Sequence, residues 1–298
     1  MRKGPLAAVG AYLSWGILPV YWKLIERLPA TEILAHRVVW SLLFVLVLLG
    51  IRRQWDWVRT LRRNPRRLLL FASSAIILAL NWYTYIWAVN ADHIVEASLG
   101  YFINPLFSIL LGVIFLGERL KRLQIIAVSI AALGVLYLTI SYGSFPWIAL
   151  TLTVTFGFYG LIRKTSSLKS LPGLTVEMVV LFLPALWYLG LLQSHGTAAF
   201  GHGDLLTNIL LALTGVATAI PLILFAYGAQ HTLLSTVGIL QYIAPTLQFI
   251  LGVFVYHEPF PVTKLIGFLF IWTALIIYSY EIFIRNKRRP AMEVVPPE

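Results

Sequence analysis

Residues 97–134 read ASLGYFINPLFSILLGVIFLGERLKRLQIIAVSIAALG: an apolar stretch interrupted at Asn104-Pro105, a short basic turn, and the start of a second apolar stretch. Ile103, Pro105, Leu111, Gly112, Val113 and Glu118 recur as Ile243, Pro245, Leu251, Gly252, Val253 and Glu258, an offset of 140 residues. The first copy ends in a turn carrying Arg119, Lys121 and Arg122, the second in HEPFPVTK (257–264) with a single lysine. Basic residues collect on the cytoplasmic side of membrane segments. The asymmetry therefore predicts two copies lying in a membrane with opposite orientations.

Composition points the same way. Of 298 residues, 59% are hydrophobic and 12% charged, and the apolar residues fall into runs long enough to cross a hydrocarbon layer. A large soluble helical bundle would need far more polar helix faces. The net charge of +11 does not indicate nucleic acid, because nineteen of the 23 Lys and Arg lie in or beside the ends and short connections that a membrane reading puts on one side. Contact with anionic membrane lipids follows from that segregation. With no cysteine, the chain has neither disulfides nor thiolate chemistry. Residues 1–25, MRKGPLAAVGAYLSWGILPVYWKLI, begin like a secretory leader, but the apolar part is long and no small-x-small site follows, so a retained first helix is expected.

Ten spans are expected, at about residues 5–24, 32–51, 68–89, 94–116, 123–140, 147–162, 174–192, 205–227, 233–256 and 262–284. The connection after the second holds seven arginines, with Trp55 and Trp57 expected at headgroup level, and Arg163, Lys164 and Lys169 mark the same side later. The link 193–204 has no Lys or Arg and belongs outside; 228–232 is assigned inside by alternation, without a basic residue of its own. Both ends are then cytoplasmic. The fold class expected is an all-α polytopic membrane protein, ten transmembrane helices in two inverted five-helix repeats, residues 1–143 and 144–298. Inverted repeats place a solute site near the midplane of many secondary transporters.

Candidate site residues follow from polarity inside apolar spans. Proline removes a backbone donor and clashes with the preceding turn, so Pro105 and Pro245 are read either as cavity-wall hinges or as packing kinks. Ser108 and Gly112 would permit close helix approach. Glu118 and Glu258 are either gate-like ion-pair partners or ordinary interfacial carboxylates. Arg37 sits inside the second span, where a charge is costly unless it faces a polar interior. Its readings are a cavity cation that binds or gates solute, a structural ion pair with Glu96, Asp92 or Glu32, or a snorkelling side chain. His36 is adjacent, on another helix face. Asn81 and Tyr85 share a face, and Asn90, Tyr12, Trp15, Tyr101, Asn104, Gln241, Tyr242 and Gln248 extend an aromatic and amide lining. Such a lining suits an amphiphilic or aromatic small molecule better than an inorganic ion. No phosphate-binding loop, HExxH or histidine cluster is present, so neither an enzyme nor a cofactor or metal site is expected.

The phrases AAVGAYLSWGILPVYWKL, ATEILAHRVVWS, RRQWDW, NWYTYIWAVNADHIVEASLGYFINPL, GVIFLGERL and QYIAPTLQFILGVFVYHEPF resemble the RarD family, in the EamA-type branch of the drug/metabolite transporter superfamily. That resemblance implies a ten-helix inner-membrane permease with cytoplasmic ends, similar to small-molecule exporters, in a family labelled for chloramphenicol sensitivity or resistance. It also implies that the fifth and tenth spans lie peripherally around a cavity built by the others. It assigns no residue a role, so Arg37, Asn81, Asn90, Glu96, Tyr101 and Asn104 rest on position and polarity. The expectation is a secondary transporter of small organic metabolites or drugs, with protons as coupling ion if Glu96 and Asp92 titrate against Arg37, or a facilitative carrier. The alternative is a membrane sensory or structural protein that binds a ligand without moving it.

Overall fold

The computed structural model describes residues 3–62, 65–91, 93–257 and 262–288. Arg2, Arg63, Asp92, Glu258 and Arg289, named above, lie outside them, as do the side chains of Asn90, Lys264 and the other arginines of 62–67 and 285–288. The described residues are all-helical: α1 (Lys3–Lys23), α2 (Ala30–Arg52), α3 (Asp56–Arg62), α4 (Pro65–Asn90), α5 (Ile94–Leu116), α6 (Arg122–Tyr142), α7 (Trp147–Thr165), α8 (Ser170–Ser194), α9 (Leu205–His231), α10 (Leu234–Leu240), α11 (Ile243–Ile250), a π-helical turn (Leu251–Val255) and α12 (Val262–Arg288). Seven helical segments among them are long and apolar enough to cross a membrane.

The chain divides into two compact units. The first holds α1–α5 and α7–α11, with α1 packed on α9 and α11, α2 on α8 and α9, α5 on α7 and α10, and α4 on α7 and α8. Where α1 meets its neighbours its inward face is built mostly of small residues. On α1 the buried residues are Gly4, Ala7, Ala8, Ala11, Tyr12 and Gly16, whereas Leu6, Leu13, Ile17 and Val20 face outward. An apolar exterior of this extent is not tolerated in water, and close packing of small residues is how helices associate where lipid removes the hydrophobic drive. A Cβ on Gly228 would lie 2.9 Å from the Ala8 nitrogen, and one on Gly215 would strike the Trp40 carbonyl. Ser41 Oγ donates to the Gly215 carbonyl at 3.1 Å across that contact.

The expected close face on α5 meets α10. A Cβ on Gly238 would be 2.7 Å from the Pro105 carbonyl oxygen and 3.1 Å from Ser108 Cβ, and one on Gly112 3.2 Å from the Ser235 nitrogen. The two prolines behave differently. Pro105 sits in a continuous α5, whereas the helix holding Pro245 is interrupted at Gln241-Tyr242, one turn earlier, where the missing donor and ring clash fall. The break is closed by tight bonds from Gln241 N to Gly238 O (3.1 Å) and Ala244 N to Gln241 O (3.1 Å).

Two connections differ from expectation. The arginine-rich 52–67 segment contains α3, and Trp57 is partly buried against Leu61, Phe71, Leu168 and Val176, while Trp55 is exposed. The 228–232 segment is mostly the end of α9, and its basic group comes from α7: Lys164 Nζ donates to the Ala229 carbonyl at 3.1 Å and to that of Thr232. A cation on the last carbonyls of a helix complements its dipole.

At the other end of α9, Asp204 is the N-cap, accepting from Thr207 N at 3.0 Å, with Arg27 Nη2 at 3.3 Å. The Thr207 hydrogen bonds, then the Arg27 charge, hold the exposed Asp204 carboxyl below its ordinary value of 3.8. A depressed folded value gives stability that is present above the unfolded value and lost as pH falls through the folded one. Wild-type protein should therefore melt higher than Asp204→Ala at neutral pH, and the gap should close as pH drops below about 4; a pH-independent gap would assign the effect to something other than the charged cap.

The second unit pairs α6 with α12. Gly134 faces Phe270 and the Gly267 carbonyl, Gly267 faces Leu138, and Glu281 takes Gln124 Nε2 at 3.2 Å and Lys121 at 3.6 Å.

Candidate functional site

A cavity of about 190 Å³ opens inside the first unit. On α1, Tyr12, Trp15, Leu18, Pro19 and Trp22 line it; spacings of three and seven place Tyr12, Trp15, Pro19 and Trp22 on one face. α2 contributes Arg37; α4 Asn81, Trp82 and Tyr85; α5 Ala97, Gly100, Tyr101 and Asn104; α7 Leu152 and Phe156; α9 Thr218 and Leu222; and the α10–α11 segment Gln241, Ala244, Pro245 and Gln248.

Arg37 is the charged side chain among these residues. Its guanidinium carbon lies over two indoles, 4.6 Å from the Trp82 ring centroid and 5.0 Å from that of Trp22, and Nε donates to Thr218 Oγ1 at 3.0 Å. Among the described residues no carboxylate is within ion-pair distance of it. Stacking between aromatic faces fixes the plane of a guanidinium and leaves its terminal N–H edge available. The amides are committed in part: Asn81 Nδ2 donates to the Leu152 carbonyl and to Thr155 Oγ1, both at 2.9 Å, and Gln248 Nε2 to the Trp15 carbonyl at 3.3 Å. Tyr85 and Tyr101 pair through their hydroxyls. The buried Tyr12 hydroxyl has no partner among the described residues.

Several expected residues are elsewhere. Glu96 does not reach Arg37; its Oε1 accepts from Ile148 N at 2.7 Å, holding the N-terminus of α7. Glu32 likewise accepts from Ala199 N at 2.7 Å. Glu118 accepts from Leu234 N (2.6 Å) and Ser235 N (2.8 Å), so it caps α10. Each carboxylate meets otherwise unpaired donors, at a helix N-terminus for Glu96 and Glu118. Tyr242 is fully buried and donates to the Phe102 carbonyl at 3.0 Å, and Pro105 touches α10 instead of the cavity. His36 faces a separate recess with Trp40 and Phe200. Asn90 and Asp92 cannot be placed, their side chains lying outside the described residues. The sequence reading missed Trp22, which extending the Tyr12–Trp15 face would have found, and Thr218, which carries no local signal.

Rings of the cavity wall pack against one another and against Phe225 and Tyr159 behind them. Trp15 contacts Tyr12 (5.6 Å between centroids), Phe156 (5.8 Å) and Phe225 (5.7 Å), and Phe225 stacks on Tyr159 at 5.9 Å. Tyr159 leads to a buried polar cluster that the sequence did not reveal. Its hydroxyl donates to Glu177 Oε2 at 3.3 Å, Ser74 Oγ to Glu177 Oε1 at 2.6 Å, and Arg163 Nη1 lies 3.6 Å from the same carboxylate, both ions at 0% exposure. Arg163, read as a cytoplasmic loop cation, is thus an interior one, and Gly173 leaves room for its guanidinium.

The EamA-like transporter family matches residues 2–140. The chain is 48% identical over 298 residues to Protein RarD of Streptomyces exfoliatus, covering 99% of this chain and 94% of that one. It is 49% identical over 286 residues to the uncharacterized transporter YojE of Bacillus subtilis, covering 94% of each. A crystal structure 16% identical in sequence aligns over 94% of this chain and 99% of its own with a TM-score of 0.69, a likeness of fold alone. With identity of this level over nearly its whole length, the chain belongs to the RarD family, in the EamA-type branch of the drug/metabolite transporters.

Proposed function

We propose that the chain is a secondary transporter that moves a small organic solute, in the export direction, across the bacterial inner membrane. The reading takes ten spans in two inverted five-helix repeats, 1–143 and 144–298, with both termini cytoplasmic. The observation that carries it is that residues one repeat apart meet at a single cavity. Tyr101 and Gln241 both line it, as do Asn104 and Ala244, and Tyr242 bonds to the Phe102 carbonyl beside them. A site at the junction of two inverted repeats is what alternating access requires.

The long-range polar contacts support the same topology. Arg27–Asp204, Glu32–Ala199 and Glu96–Ile148 join ends that this topology puts outside. Lys164–Ala229, Glu118–Leu234 and Gln230–Leu168 join ends that it puts inside. On that topology the Arg163–Glu177 pair lies toward the cytoplasmic ends of α7 and α8. Since Glu96 is committed to α7 and no described cavity residue is acidic, facilitated movement down the solute's own gradient is preferred here to proton antiport.

Purified protein in proteoliposomes, loaded with a metabolite and drug panel, should give saturable counterflow that a pH gradient leaves unchanged. Binding without flux would favour a sensory protein, and acceleration by the gradient would restore proton coupling. Because the chain has no native cysteine, single substitutions test topology directly. Arg59→Cys should react with an impermeant maleimide from the cytoplasmic face and Thr197→Cys from the opposite one. Labelling of both from one face would end the inverted-repeat reading.

A further inference from the structure

We infer that the solute is an organic anion, a small carboxylate on a planar or apolar body, and that Arg37 is the group that binds its charge. This rests on the cavity described above being the solute site. The cation is held as a receptor and not as half of an ion pair. Thr218 takes Nε, the guanidinium carbon lies over the rings of Trp22 and Trp82, and among the described residues its terminal nitrogens have no hydrogen-bond partner. Glu32 and Glu96, the described carboxylates that the sequence offered it, are bound to backbone N–H groups of other segments. A planar guanidinium edge matches the two oxygens of a carboxylate. The unpartnered Tyr12 hydroxyl adds a neutral donor to the wall.

The rest of the lining defines the body of the solute. Trp15, Trp22, Trp82, Phe156, Leu152 and Leu222 supply apolar and ring surfaces, which suit a hydrocarbon or aromatic group. An amine would bring a second positive charge beside an unneutralised cation in a medium of low dielectric. A zwitterion would bring an ammonium for which the described lining offers no carboxylate, and the indole faces that could receive it already hold Arg37.

The test is a matched series in which one body carries a carboxylate, a carboxamide, an amine or an α-amino acid group, made on phenyl, indole and branched alkyl bodies. Binding to the full-length protein in detergent is followed by quenching of tryptophan fluorescence, and flux is followed in proteoliposomes. On at least one body the carboxylate should bind about tenfold or more tightly than its amide and amine, with the amino acid between them. Arg37→Gln should erase that preference, bringing the carboxylate down to the affinity of its amide, and Arg37→Lys should restore part of it. Equal binding of acid and amide, a preference that survives Arg37→Gln, or no saturable binding of any carboxylate would each overturn the inference. Selective carboxylate binding without flux of any solute would leave the anion site standing and remove the transporter reading instead.

Discussion

Replacing Glu177 by alanine is expected to destabilise the protein by about 3–5 kcal/mol, the cost of leaving a buried cation without its partner. Arg163 has no exposed surface; Nη2 donates to the Ser170 carbonyl at 2.9 Å and the guanidinium lies 5.7 Å from the Phe71 ring, so neither contact neutralises its charge. In an interior flanked by lipid the penalty has no outlet through solvent. The apparent melting temperature in detergent should fall by roughly 6–20 °C at 2–4 °C per kcal/mol. Glu177→Gln keeps one of the two acceptor oxygens that Ser74 and Tyr159 use and removes the charge, so it should fall between wild type and Glu177→Ala. Arg163→Met combined with Glu177→Leu should recover most of the loss, since an apolar pair of similar size replaces both ions. A double variant as unstable as Glu177→Ala would show that the cluster is held by something other than its charges.

The second large effect is functional and has the opposite stability signature. Arg37→Ala should lower flux about 10- to 150-fold, the range set by 1.5–3 kcal/mol for a hydrogen bond to a charged group. Its melting temperature should be unchanged or higher, because the variant removes a partly buried cation for which the described residues supply no carboxylate. Removing Arg163's partner damages the fold; removing Arg37 should damage transport alone. Membrane insertion and melting are measured on the same preparations as flux. A loss of flux accompanied by a melting drop like that of Glu177→Ala would make Arg37 a structural residue, and unchanged flux would remove it from the site.

Both predictions rest on interior cations, and the two were unequally visible in the sequence. Arg37 stood out because it interrupts an apolar span. Arg163 did not, because it follows a span directly and reads as one more basic residue of a cytoplasmic connection. Only the packing of α4 against α7 and α8, which brings Ser74 of α4 and Glu177 of α8 together beside it, makes it interior. Lys164, its neighbour in sequence, goes instead to the end of α9.

Features of short range were therefore determined by the sequence itself. Hydropathy over some twenty residues dictates membrane-length helices, and helical spacing puts Tyr12 with Trp15 and Asn81 with Tyr85 on common faces. Tertiary structure decided where each isolated polar group found its partner. Glu96, Glu32 and Glu118 carry the same chemistry and sit near span ends, yet they serve Ile148, Ala199, and Leu234 with Ser235. The physical reason is that a carboxylate accepts from any N–H within about 3 Å, and which N–H comes that close depends on the packing of helices far apart in the chain. The same packing left Arg37 facing a cavity of indoles and amides instead of an acid.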